Sequence, residues 1–174
     1  MISKNESKHI KPALLVIDVQ NKYMRTIPQR DKETGIFFIN LLIELFRKHD
    51  FPIIRIYHCN EENGPTANTE EFEYPSSILI KPEDTQIIKT YSDGFNKTIL
   101  NEVLKEKESN TLFLCGLSAV CCVLATRTGA ENNDYNAFLV KDAIMSHNSE
   151  YTKNVEVMFD AVSYDVIKLI LENN

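Results

Sequence analysis

Five stretches of this chain are apolar almost without interruption, and they alternate with stretches where apolar residues return every three or four positions. Ala13-Leu14-Leu15-Val16-Ile17, entered through Pro12 and closed by Asp18, reads as a strand buried on both faces, because a strand with one wet face would alternate apolar and polar. Ile53 to Tyr57 repeats the pattern after Pro52, Gln86 to Lys89 is a shorter strand, Thr111 to Cys115 stops at Gly116, and Asn136 to Val140 follows. Gly35 to His49 has Ile36, Phe37, Ile39, Leu42, Ile43, Leu45 and Phe46 near helical spacing, and Lys97 to Lys107 has Ile99, Leu100, Val103 and Leu104. Further helices are predicted from about Ala119 to Asn132, more weakly near Tyr151 to Asp160, and from Asp165, a candidate cap, to Glu172. Ala161-Val162 is a possible last short strand. The segment from Asn60 to Pro82, polar and broken by Gly64, Pro65, Pro75 and Pro82, reads as a long surface excursion.

Strands alternating with helices predict parallel strands joined by right-handed crossovers. The expected fold is therefore α/β, a three-layer α/β/α sandwich around a mostly parallel, Rossmann-like sheet of about six strands. With 174 residues and no repeat or low-complexity segment, the whole chain is expected to form one domain, with residues 1–11 as a frayed N-terminal arm.

Composition narrows the partners. A formal charge of −6 without a Lys/Arg cluster argues against nucleic acid, which needs a basic stripe to displace counterions. No apolar run approaches the roughly 20 residues of a membrane helix, and the polar start lacks a secretory apolar core. A cytoplasmic protein with a small-molecule substrate is expected, and its cysteines, Cys59, Cys115, Cys121 and Cys122, are then thiols.

In open parallel sheets ligands bind beyond the carboxyl ends of the strands. Asp18 and Lys89 close two strands, and the Gly116 to Cys122 turn follows another. Each has an ordinary alternative: an Asp after a strand often only caps a loop, and a strand-end lysine is usually solvated. Cys115, within an apolar run, is assigned to packing. Cys121 and Cys122 fall in the first turn of a helix, where backbone N–H groups favour a thiolate.

These residues resemble the isochorismatase-like cysteine hydrolase family, which includes nicotinamidases and carbamoyl-amine amidohydrolases. Ala13 to Asn21 is similar to the first-strand motif, with Asp18 at its aspartate. Lys89, followed by Phe95, Thr98 and Leu100, resembles the catalytic-lysine segment. Gly116-Leu117-Ser118-Ala119-Val120-Cys121-Cys122-Val123, with Thr126 beyond, resembles the nucleophile turn, and Lys141-Asp142-Ala143 the segment after the fifth strand. In that turn the nucleophile stands six residues after the glycine, before Val and four residues ahead of Thr, which matches Cys122. Cys121 is then expected to turn toward the packing between helix and sheet, or to lie beside the site.

The resemblance implies a catalytic set of Asp18, Lys89 and Cys122, backbone N–H groups of Ser118 and Cys122 as an oxyanion hole, and a cis Leu117–Ser118 peptide. Gln20 and Tyr23 near Asp18, His58 at the second strand and Phe95 beyond Lys89 are the candidate substrate contacts. The implied function is cleavage of an amide, ureido or carbamoyl bond through a thioester, in a homo-oligomer. The alternative is a catalytically silent binding or assembly protein on the same fold. Nicotinamidases of the family bind a metal through an Asp-x-His pair; here Ile56 stands where that aspartate would be, so no metal and no cofactor is expected.

Overall fold

The unbroken apolar runs become strands with no wet face. In the computed structural model of the protein, which describes residues 9–173, β1 (Pro12–Ile17) is buried at every position. β1 is followed by a single turn, α1 (Asn21–Met24), and the long α2 (Gln29–Lys48). β2 (Ile53–His58), β3 (Thr85–Lys89), α3 (Leu100–Glu106) and β4 (Thr111–Leu117) come next. A π-helical turn (Ala119–Val123) opens α4 (Leu124–Asn132), and β5 (Asn136–Met145), α5 (Ser149–Met158) and α6 (Tyr164–Glu172) complete the order.

All strands are parallel, in the spatial order β3-β2-β1-β4-β5, so the direction of winding reverses at β1. One face of the sheet packs on α2 and α6 through Ile39, Leu42, Phe46, Ile167 and Leu171. The other packs on α3, α4 and α5 through Leu100, Leu104, Ala130 and Val155. The expected α/β sandwich is present with five strands. The short sixth at Ala161-Val162 reduces to a single parallel bridge between Val140 and Val162.

Other differences have physical causes. α2 starts at Gln29 rather than Gly35, because its first turns face solvent and carry no apolar period. Ser163, not Asp165, precedes α6; Asp165 lies inside the first turn, where its charge complements the helix dipole. The excursion after β2 is more than surface. Phe72, Tyr74 and Ile78 are buried in the α2-side core, and the Tyr74 hydroxyl lies 2.8 Å from the Val16 carbonyl and 2.7 Å from that of Ile56. Residues 1–8 of the expected frayed arm lie outside the described residues; the rest is tied down, with Lys11 N–H donating to Asn110 Oδ1 at 2.9 Å and Asn110 Nδ2 donating to the His9 carbonyl at 2.9 Å. Among the described residues no helix is long and apolar enough to cross a membrane.

Candidate active site

The reversal of winding at β1 opens a crevice over the carboxyl ends of β1 and β4, and the polar residues that close the strands meet there. Asp18 leaves β1 in a left-handed conformation, φ 50°, with its N–H donating to the Ile56 carbonyl at 2.9 Å. Lys89 ends β3 in register with His58, on the same face as buried Ile87. It is 1% exposed, and its Nζ donates to Asp18 Oδ2 at 2.7 Å and lies 3.4 Å from His58 Nδ1. A lysine this deeply buried needs a partner, and Asp18 is that partner.

Cys122 arrives from β4. The strand ends through Gly116, at φ 108°, where a side chain would run into the Ile17 carbonyl, so only glycine lets β4 lie this close to β1. The Leu117–Ser118 peptide is cis, as expected. The Ser118 carbonyl then accepts from Cys121 N–H at 2.9 Å and from Val123 N–H at 3.2 Å, the second closing the wide π turn that carries Cys122. The Cys122 sulfur, an Asp18 oxygen and a His58 ring nitrogen all lie within 4.8 Å of one another. Asp18 Oδ1 is buried and has no hydrogen bond of ordinary geometry among the described residues, and the Cys122 thiol is the neighbouring donor that helps to lower its carboxyl.

Burial governs the protonation of this group. It raises the Asp18 carboxyl above its ordinary value, with Lys89 pulling the other way. Burial, then the Asp18 charge, pushes the Cys122 thiol up to about 12, and Lys89 opposes this. His58 is lowered, first by desolvation and then by the Lys89 charge. Tyr23 is raised by desolvation and by the Asp18 charge. At rest the sulfur is a thiol, beside a carboxylate more basic than one in water.

Above these atoms is a cavity of about 300 Å³. Asp18, Tyr23, His58, Ser118 and Cys122 line it, and Lys89 supports it from below. Two candidate contacts are elsewhere. Gln20 is fully buried and gives its whole amide to the His58 backbone, donating to the carbonyl at 3.0 Å and accepting from the N–H at 2.9 Å, so it clamps β1 to β2. Phe95 packs on the Tyr135 ring, 5.8 Å away, in the α3-side core. Of the two positions expected for Cys121, the structure shows the one beside the site: it is exposed and lines the cavity with Cys122, its sulfur 3.6 Å from Ser92 Oγ. Both cysteines sit in the π turn and line the cavity, Cys121 being the more exposed.

Thr26, Ile27, Ser92, Leu117 and His147 complete the lining. Leu117 ends β4 and belongs to the turn already singled out; the others were missed because they sit in connecting segments, where no periodicity marks them, and for His147 the one signal was its position just beyond β5. A slightly larger hollow of about 350 Å³ lies between the start of α2 and α5, lined by Arg30, Asp31, Asp142, Lys153 and Glu156. Among the described residues no cysteine lines it, whereas Asp18 and Cys122 both line the smaller cavity.

Asp18, His58 and Cys122 form the one group of three possible metal ligands found among the described residues. The group does not fit a divalent cation. The Lys89 ammonium already sits 2.7 Å from the carboxylate and 3.4 Å from the imidazole, where its charge would repel the ion, and Ile56 offers no further donor.

With the geometry established, comparison with known proteins is informative. The Isochorismatase domain model matches residues 12–166. The uncharacterized isochorismatase family protein YrdC of Bacillus subtilis is 27% identical over 136 residues, covering 76% of this chain and 73% of YrdC. Among solved structures, N-carbamoylsarcosine amidase from Thermoplasma acidophilum superposes with a TM-score of 0.76 at 22% identity, over 88% of this chain and 95% of the amidase. The pyrazinamidase of Pyrococcus horikoshii in complex with zinc gives a TM-score of 0.78 at 21% identity, over 88% of this chain and 99% of that one. At these identities the two structures speak for the fold.

Proposed function

Since the chain belongs to the isochorismatase family, we propose that it is a cysteine-dependent hydrolase that cleaves a C–N bond of a small amide, ureido or carbamoyl compound through a thioester. The observation that carries this is the Lys89–Asp18 pair, buried and 2.7 Å apart, beside the Cys122 thiol at the floor of a small cavity. A structural ion pair has no need of a thiol at its side or of an opening above it.

Asp18 takes the Cys122 proton as the sulfur attacks the substrate carbonyl. Burial makes this carboxylate a stronger base than one in water, and Lys89 keeps the pair anionic overall. Charge then develops on the carbonyl oxygen. Backbone N–H groups of Ser118 and Cys122 stabilise it, each such donor contributing roughly 2.7–4 kcal/mol. Protonated Asp18 hands its proton to the departing nitrogen, the amine or ammonia leaves, and the thioester remains on Cys122. Water, deprotonated by the same carboxylate, hydrolyses it and restores the thiol.

The test is a screen of small amides and ureido compounds for ammonia release, with Cys122→Ser as the blank. The serine variant is expected to fold and to lose activity by about 10³-fold or more, since acting groups of this kind fail as a unit. Cys121→Ser keeps most of the rate, and a chelator leaves it unchanged. Wild-type turnover by Cys122→Ser would remove the thiol from the mechanism.

A further inference from the structure

The charges around the cavity have a consequence for what can enter it. The group facing the opening beside the Cys122 sulfur is the Asp18 carboxylate. The cation that balances it, Lys89, lies beneath the floor with its ammonium directed at Asp18 Oδ2 and His58 Nδ1. Among the described residues no lysine or arginine lines the cavity. The nearby cations in sequence are committed elsewhere: Lys22 and Arg25 pair with Glu71, Arg127 pairs with Glu131, and Lys97 donates to the Tyr91 hydroxyl.

His58 does not fill this gap. An ammonium only donates, so His58 Nδ1, facing Lys89 at 3.4 Å, must be the unprotonated nitrogen, which places the ring proton on Nε2. His58, which lines the cavity, is thereby a neutral N–H donor, and the neighbouring ammonium opposes a second proton. His147 stands across the cavity, edge-on to the Tyr151 ring at 5.6 Å.

We propose that this cavity selects by charge: it takes uncharged small amides, whose acceptor atom meets the His58 Nε2 proton, and rejects substrates that carry a carboxylate. This rests on the hydrolase reading above and narrows its substrate class. A carboxylate seated here would lose water and meet Asp18 without any cation in reach, an arrangement that low-dielectric surroundings penalise heavily.

Two electrophiles of nearly equal size separate the charge effect from turnover. Iodoacetamide and iodoacetate each alkylate a thiol with loss of iodide, and they differ in charge. Their rates at Cys122 are read by peptide mass spectrometry at about pH 8, above the ordinary imidazole range, with a free cysteine derivative as reference. The preference for iodoacetamide at Cys122 is expected to exceed that of the free thiol by at least about tenfold. Thr26→Arg places a cation on the exposed rim, at the loss of one hydrogen bond to the Tyr23 carbonyl. It should raise the iodoacetate rate severalfold relative to that of iodoacetamide. A preference equal to that of the free thiol, or an iodoacetate rate indifferent to Thr26→Arg, overturns charge selection while Cys122 remains a reactive nucleophile. If neither reagent reaches Cys122 while Cys121 is labelled, both this proposal and the hydrolase reading fall.

Discussion

In the proposed mechanism the residue that sets the chemistry is Asp18, and its setting makes a specific pH profile. Burial raises its carboxyl above the ordinary value, and it must be ionised to accept the thiol proton. Activity is therefore fully present above that raised value and falls as pH drops through it, at a higher pH than a solvated aspartate would give. The Cys122 thiol is pushed up to about 12, so independent thiolate formation contributes nothing near neutrality. The expected kcat/KM profile is an acid limb followed by a plateau, with no inflection near pH ~8.5, where an ordinary thiol titrates. A rising limb there would mean that the sulfur ionises on its own and that Asp18 is not its base. The sequence made Asp18 and Cys122 readable through local motifs. Gln20 and Phe95 were misplaced because adjacency along the chain does not say which way a side chain turns: Gln20 spends its amide on the His58 backbone, and Phe95 turns to Tyr135.

At the scale of elements, the strand ends are held in place by parts of the chain with no periodic signature. The segment between β2 and β3 looks like polar loop, yet Tyr74 reaches from it across the sheet and hydrogen-bonds the carbonyls of both Val16 and Ile56. Its hydroxyl sits next to the strand ends that carry Asp18 and His58. Tyr74→Phe leaves the ring packing on Tyr57 intact, 4.5 Å between centroids, and removes only the hydroxyl. We expect a loss of about 0.5–1.5 kcal/mol in urea unfolding, the net worth of a hydrogen bond, since the Ile56 carbonyl still accepts from Asp18 N–H. Fall in kcat should exceed any change in KM, because the displaced groups position Asp18 rather than bind substrate. A variant as stable and active as wild type would show that water replaces the hydroxyl at no cost. The loop that follows β3 is held likewise: Gly94 N–H donates to buried Thr126 Oγ1 at 2.9 Å, which fastens the segment after Lys89 to α4.

At the scale of the whole molecule, one sheet serves two cores, and neither core can persist if the strands separate. We propose that the chain unfolds as one domain. Cys115, fully buried within β4, provides the check. Its labelling by a thiol reagent should begin at the same urea concentration at which far-UV circular dichroism is lost. Labelling at a clearly lower concentration would mean that part of the sheet opens separately. Much of this architecture follows from the sequence alone. Apolar runs in Ala13–Ile17 and Thr111–Cys115 can only be strands covered on both sides, and their alternation with helices forces parallel crossovers, because burial of apolar surface is a local and additive demand. The motifs around Asp18, Lys89 and Cys122 were likewise legible, through their resemblance to those of the family. What only the tertiary structure decided is which partner each polar group finds: Lys89 beneath Asp18, His58 turned to Lys89, Gln20 closed upon the His58 backbone, and Cys121 left open at the rim. Those pairings join residues as far apart in sequence as Asp18 and Lys89. They depend on distances of a few ångström set by the strand order, which no local pattern along the chain records.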